Sequence, residues 1–186
     1  MALTQIDNVA ALVVIDMQKG IVAMPTVHPT SEIIDRVALL ARVFREHQLP
    51  VVLVNVAGAA PGRTELRINF KPPPEWTELV PELDRQATDH VLTKFQPGAF
   101  YGTTLELYLR RCGVTQVILA GISTSGGVES TARNAYDRGY NVVVVLDAIT
   151  DRDADAHKNS VEKIFPRIGE TASTAEVLNL LKQRSQ

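Results

Sequence analysis

Four short, nearly unbroken apolar runs constrain this chain more than any other feature of it. Residues 10–16 (AALVVID), 51–56 (VVLVNV), 116–120 (QVILA) and 141–147 (NVVVVLD) lack the apolar and polar alternation of a half-exposed strand. Runs of this kind read as strands buried on both faces, the condition of a parallel sheet covered by helices. The segments between them carry helical periodicity. Thr30 or Ser31 can cap a helix whose Ile33, Val37, Leu40 and Phe44 recur at four-three-four spacing, and Pro50 stops it. Helices are also expected over 103–111, over 128–138 with Val128, Ala132 and Ala135 facing the sheet, near 153–165 and over 173–182. A short strand from His90 to Lys94 and an edge strand over 168–171 bring the count to six. Strands alternating with helices predict a three-layer, doubly wound, Rossmann-like α/β fold with a six-stranded parallel sheet and right-handed crossovers.

With 186 residues the chain has room for one core, so residues 1–186 read as a single domain. Residues 57–87 are the least regular part, with Gly58, Pro61, Gly62 and the run Pro72-Pro73-Pro74. A short helix is expected near 75–79. A long loop leaving the end of a sheet strand reads as a substrate lid.

Nineteen basic against twenty-one acidic residues leave a formal charge of −2, without the basic footprint of a nucleic-acid binder. No apolar run approaches the ~20 residues that span a bilayer, and the start of the chain lacks the parts of a signal peptide, so a cytoplasmic location is expected. A lone Cys112 forbids an internal disulfide and a CxxC site and reads as a small, half-buried hydrophobe. His28, His47, His90 and His157 have no metal-ligand spacing, so surface or local hydrogen-bonding roles are expected and no metal site is assigned.

In an open α/β sheet ligands bind at the carboxyl ends of the strands. Three features converge there: Asp16 after the first strand, Lys94 after the third, and the turn Gly121-Ile-Ser-Thr-Ser-Gly-Gly127 after the fourth. A carboxylate at that place is partly desolvated, and a nearby ammonium would keep it charged. Position alone leaves Asp16 equally readable as a loop acid or a helix cap, and Lys94 as a surface lysine. The turn precedes a helix, so its amides could hold a carboxylate or an oxyanion, or its glycines could merely let helix and sheet pack closely. It lacks the Gly-Lys-Ser/Thr ending of a phosphate loop, and no GxGxxG follows the first strand. Ser123, Ser125 and Ser130 lie near but have no GxSxG elbow.

Taken in order, LVVIDMQ (12–18), KFQPGAFYGT (94–103), AGIST (120–124) and VESTARNAYDRGY (128–140) span nearly the whole chain and resemble the isochorismatase-like hydrolases, also called the cysteine hydrolase family. The resemblance implies a cofactor-free hydrolase on a parallel sheet, acting on a small molecule and assembled as a homo-oligomer, with no nucleic-acid or membrane partner. It implies catalytic roles for Asp16 and Lys94 and places Gln18, Phe100, Ile122, Ser123 and Gly127 at the substrate. It also implies a cis peptide between Ile122 and Ser123. Most members carry a nucleophilic cysteine just before the residue matching Val128, and here that residue is Gly127. Family isochorismatases, some with glycine there, cleave a vinyl ether by aspartate-driven protonation followed by water addition.

Two functions therefore stand open. One is a hydrolase for a small anionic metabolite, with Asp16 as acid and base and no cysteine nucleophile, extending to vinyl-ether hydrolysis. The other is a catalytically inactive member that binds a small molecule or serves in assembly.

Overall fold

In the computed structural model, which describes residues 3–65 and 71–184, the apolar runs form one sheet with strand order β3-β2-β1-β4-β5-β6, every pairing parallel. The strands are β1 (Ala10–Ile15), β2 (Val51–Val56), β3 (His90–Lys94), β4 (Gln116–Ile122), β5 (Asn141–Thr150) and β6 (Glu170–Ala172). The helices are α1 (Lys19–Val22), α2 (Thr30–Glu46), α3 (Leu105–Arg111), α4 (Glu129–Asp137), α5 (Ala154–Asn159), α6 (Phe165–Ile168) and α7 (Thr174–Gln183). The expected six-stranded parallel α/β fold is the observed one. Successive β1 side chains alternate between two cores, which is why the run had to be apolar throughout. Leu12 and Val14 pack with Val37, Leu40 and Phe44 of α2 and with Val177 and Leu181 of α7. Ala11, Val13 and Ile15 pack with Leu105 and Leu109 of α3, Ala132 and Ala135 of α4, and Phe165. Full burial of such a side chain contributes about 1.5–3 kcal/mol.

The strand order reverses between β1 and β4, the crevice at which doubly wound sheets bind ligands. The two strands come unusually close there. Gly121 has φ +116°, and a Cβ on it would fall 2.1 Å from the carbonyl oxygen of Ile15. Only glycine fits, for both reasons.

Several boundaries differ from the expectation. Pro29, not Thr30 or Ser31, occupies the cap position of α2; Thr30 opens the helix and its hydroxyl pairs with that of Thr26. β5 does not stop at Asp147. That carboxylate accepts from the amide and hydroxyl of Thr174 at the start of α7, so the strand carries it without an orphaned charge and runs on to Thr150. The pairing of β4 with β5 shifts register there, Leu119 facing Val144 and Gly121 facing Ile149, so the extra residues bulge out of β5. The helix expected near 153–165 is three pieces, α5, a wider π-type turn at Ser160–Ile164, and α6, whose Pro166 has no amide to donate. β6 accordingly begins later than expected. In the loop after β2, the expected helix is a single 3-10 turn at Pro74–Thr77, followed by another at Pro81–Leu83. Residues 66–70 of the loop read as a lid lie outside the described residues. Among the described residues no helix is long and apolar enough to cross a membrane.

Candidate active site

β1 ends at Ile15, and the next residue turns out of the sheet plane. Asp16 adopts φ +50°, a conformation rare for a residue with a side chain, while its amide still donates to Val54 at 2.9 Å. Its carboxyl is thereby set above the switch point. Lys94, last residue of β3, reaches across the end of β2, and its Nζ donates to Asp16 Oδ2 at 2.7 Å. Both residues are buried, Lys94 at 1% and Asp16 at 5% exposure. The convergence read from the strand ends is therefore physical contact.

The pair is unevenly satisfied. Asp16 Oδ2 has the ammonium, whereas Oδ1 is buried and has no hydrogen-bond partner among the described residues. Burial pushes the Asp16 carboxyl up to about 6, against the opposing pull of Lys94 through charge and hydrogen bond. The carboxyl therefore holds its proton to higher pH than a solvated aspartate does.

The turn after β4 supplies the third side. Ile122 and Ser123 are joined by a cis peptide bond, and Thr124–Val128 forms a wide π-type turn leading into α4. Of the turn amides expected to face a ligand, Gly126 and Val128 donate to the Ser123 carbonyl, and Ser125 donates to Asp151 Oδ2 at 2.7 Å. These three donors are engaged within the protein. Gly127 is buried with its α-carbon against the ion pair: a Cβ there would lie 3.2 Å from Asp16 Oδ2, 3.5 Å from Lys94 Nζ and 2.7 Å from Ile15 Cγ2.

Two cavities meet at Asp16 and Val56. One, about 340 Å³, is walled by Ile21, Met24, Trp76 and Ile122, with Ser123 and Arg152 at its polar side. The other, about 470 Å³, lies beside Lys94, Gly126 and Gly127 under Gly58, Ala59 and Ala60. Ile122, Ser123 and Gly127 thus line space next to Asp16. Gln18 is fully buried and works on the backbone, its amide nitrogen donating to the carbonyls of Val56 and Trp76 and its oxygen accepting from the Val56 amide. It fixes the cavity wall. Phe100 lines neither cavity; its ring lies 6.0 Å from that of Tyr140 and under the Arg138 guanidinium. The reason is local: the Ala99 amide donates to Thr131 on α4, which ties this segment to the helical layer.

Cys112 is exposed just past α3, not half-buried. His28 and His157 do make the local hydrogen bonds expected of them, to Thr150 and Thr124, but they also face each other at 4.9 Å between ring centroids. Burial and the neighbouring His28 hold His157 below the ordinary range, with Asp151 opposing. That pairing joins residues 129 positions apart. Trp76 and Arg152 are among the cavity residues that the sequence did not point to, as are Ile21, Met24 and Thr26. Arg152 became visible only once β5 was seen to extend to Thr150; Trp76 lies in the irregular loop, where no periodicity marks orientation. Among the described residues no group of three His, Cys, Asp or Glu side chains is placed to hold a metal ion.

The Isochorismatase domain model matches residues 10–176. The chain is 42% identical over 179 residues to the uncharacterized isochorismatase family protein YecD of Escherichia coli O157:H7, covering 92% of this chain and 95% of that one. It superposes with a TM-score of 0.92 on an isochorismatase family protein from Burkholderia thailandensis, at 41% identity over 96% of this chain and 98% of the other. A nicotinamidase from Bacillus subtilis matches with a TM-score of 0.76 and 26% identity, over 88% and 98% of the two chains. A family model covering the sheet from its first strand to its last helix, and a relative alike over nearly its whole length, place this chain in the isochorismatase-like hydrolase family.

Proposed function

We propose that the protein hydrolyses a small anionic metabolite with Asp16 as acid and base, Lys94 as its electrostatic partner and no cysteine nucleophile, the reaction being cleavage of a vinyl ether. The observation that carries this reading is the Asp16 carboxyl: one oxygen held by an ammonium, the other buried without a partner among the described residues, and the whole group pushed up to about 6. A carboxyl raised in this way keeps its proton to higher pH than a solvated aspartate, which suits an acid that must recover its proton each turnover. The protonated carboxyl gives its proton to the terminal carbon of the C=C bond, leaving an oxocarbenium ion. Asp16, now anionic and stabilised by Lys94, takes a proton from water as the water oxygen bonds to the cationic carbon. The resulting hemiketal collapses to a ketone and an alcohol. In this reading Gly127 occupies the place where cysteine members carry their nucleophile, and it lines the larger cavity beside the ion pair. Gln18 holds the cavity wall, and the small molecule touches Ile122, Ser123 and Gly127. The working form is a homo-oligomer, which sedimentation equilibrium would test.

The deciding experiment is a turnover screen of isochorismate and small amides with the wild type and Asp16→Asn. Vinyl-ether turnover that Asp16→Asn abolishes, and that iodoacetamide treatment leaves intact, supports the proposal. Amide turnover lost on alkylation would overturn it. Binding without turnover would favour the inactive, small-molecule-binding reading.

A further inference from the structure

The smaller cavity above Asp16 carries one other charged side chain among the described residues, Arg152. Arginines beside acidic residues usually pair with them, and Arg152 has Asp151 and Asp153 on either side. Both acids are otherwise engaged. Asp151 accepts from the amide and hydroxyl of Ser125 at 2.7 and 2.8 Å and from the amide of Arg152 itself at 2.7 Å. Asp153 caps α5 by accepting from the Ala156 amide at 2.9 Å. The Asp151 contacts fix the Arg152 backbone to the turn that carries Ser123, while leaving the side chain out of the ion pair. Among the described residues its guanidinium has neither an ion pair nor a hydrogen bond.

Apart from Thr26 and Ser123, the rest of the cavity wall is apolar and partly flat. The indole of Trp76 packs directly on α1, where a Cβ on Gly20 would lie 2.0 Å from the ring, so the wall is set by the absence of a side chain there. Ile21, Met24 and Ile122 complete it. An apolar slot with one unpaired guanidinium suits a ring that bears a carboxylate, because the guanidinium fork matches both carboxylate oxygens and the indole accepts the ring face. Asp16 closes the far side, where the second cavity begins.

We infer that Arg152 is the residue that selects the substrate's charge, holding a ring carboxylate in the Trp76 cavity so that the bond to be cleaved lies over Asp16. This rests on the proposed function for the position of the reacting bond, but the charge selection itself does not require Asp16 to act as an acid.

The test uses the full chain at pH 7.5 and two flat probes of equal size, benzoate and benzamide, with binding read by calorimetry. The wild type should bind benzoate at least about tenfold more tightly than benzamide. Arg152→Gln should bring the two to equal affinity through loss of benzoate binding, and Arg152→Lys should restore part of the preference. Equal binding of the two probes by the wild type, no binding of either, or an undiminished preference in Arg152→Gln would overturn the assignment. Turnover surviving in Asp16→Asn while the Arg152 preference holds would overturn the acid role of Asp16 and leave Arg152 standing.

Discussion

Asp7 and Asp16 stand at opposite ends of the central strand β1, and burial raises the carboxyl of each as its largest single influence. They end on opposite sides of the ordinary value. Asp7 accepts from Thr115 at 2.7 Å, Asn141 at 2.9 Å and Gln5 at 3.4 Å, and these bonds with the charge of Arg184 outweigh burial and hold it below the usual range. Among the described residues Asp16 has one donor, Lys94, and no partner for Oδ1, and it remains raised to about 6. Asp16 is deeply buried and Asp7 only partly, so the depth of burial together with the number of donors facing the carboxylate decides whether it serves as a fixed clamp or as a proton carrier. Asp7 ties the chain before β1 to β4 and β5; Asp16 faces the space where a substrate fits.

The largest expected effect breaks the comparison directly. Asp16→Asn should lower kcat for vinyl-ether hydrolysis by about a thousandfold, the scale of a lost general acid, while Asp7→Asn should leave kcat within about twofold. Steady-state kinetics of both variants would show it, and equal losses would mean that Asp16 is structural too.

Next comes the pair itself. The Asp16 carboxyl is raised above its unfolded value, so its ionisation costs stability, and the cost appears as pH rises from about 3.8 through about 6. Replacing both partners, Asp16→Asn with Lys94→Met, removes two buried charges and should leave the protein as stable at pH 7 as the wild type or more so by about 1–4 kcal/mol in urea unfolding. Lys94→Met alone should be less stable than the double variant. It also removes the pull that lowers Asp16, so any activity needing the protonated acid should persist to higher pH than in the wild type.

Gly127→Ala sharpens the steric side of the contrast. Its methyl would lie 2.7 Å from Ile15 Cγ2 and beside the ion pair, so about 1–3 kcal/mol of stability should be lost through overpacking, with kcat/KM reduced. An unchanged melting temperature and unchanged kinetics would show that Ile15 yields freely. The smallest effect belongs to the clamp. Asp7→Ala should cost on the order of 1 kcal/mol at pH 7, and because its carboxyl is held low the loss should fade as the pH falls below about 4.

Much of this molecule was legible in the sequence because local rules carried it. Unbroken apolar runs forced strands buried on both faces, the four-three-four spacing of Ile33, Val37, Leu40 and Phe44 forced α2, and parallel strands send their carboxyl ends one way, which brought Asp16, Lys94 and the Gly121–Gly127 turn together. The family resemblance named Ile122, Ser123 and Gly127, which line the cavities, and Phe100, which packs under Arg138 instead. What only the tertiary structure decided was the partnering of polar groups across long separations. No local pattern shows that Gln18 holds Val56 and Trp76, that Asp151 is taken by the Ser125 turn and so leaves Arg152 unpaired, or that His28 meets His157. Backbone propensity and apolar periodicity act within a few residues, whereas a hydrogen bond or an ion pair depends on which distant group arrives first, and that is settled only when the layers close.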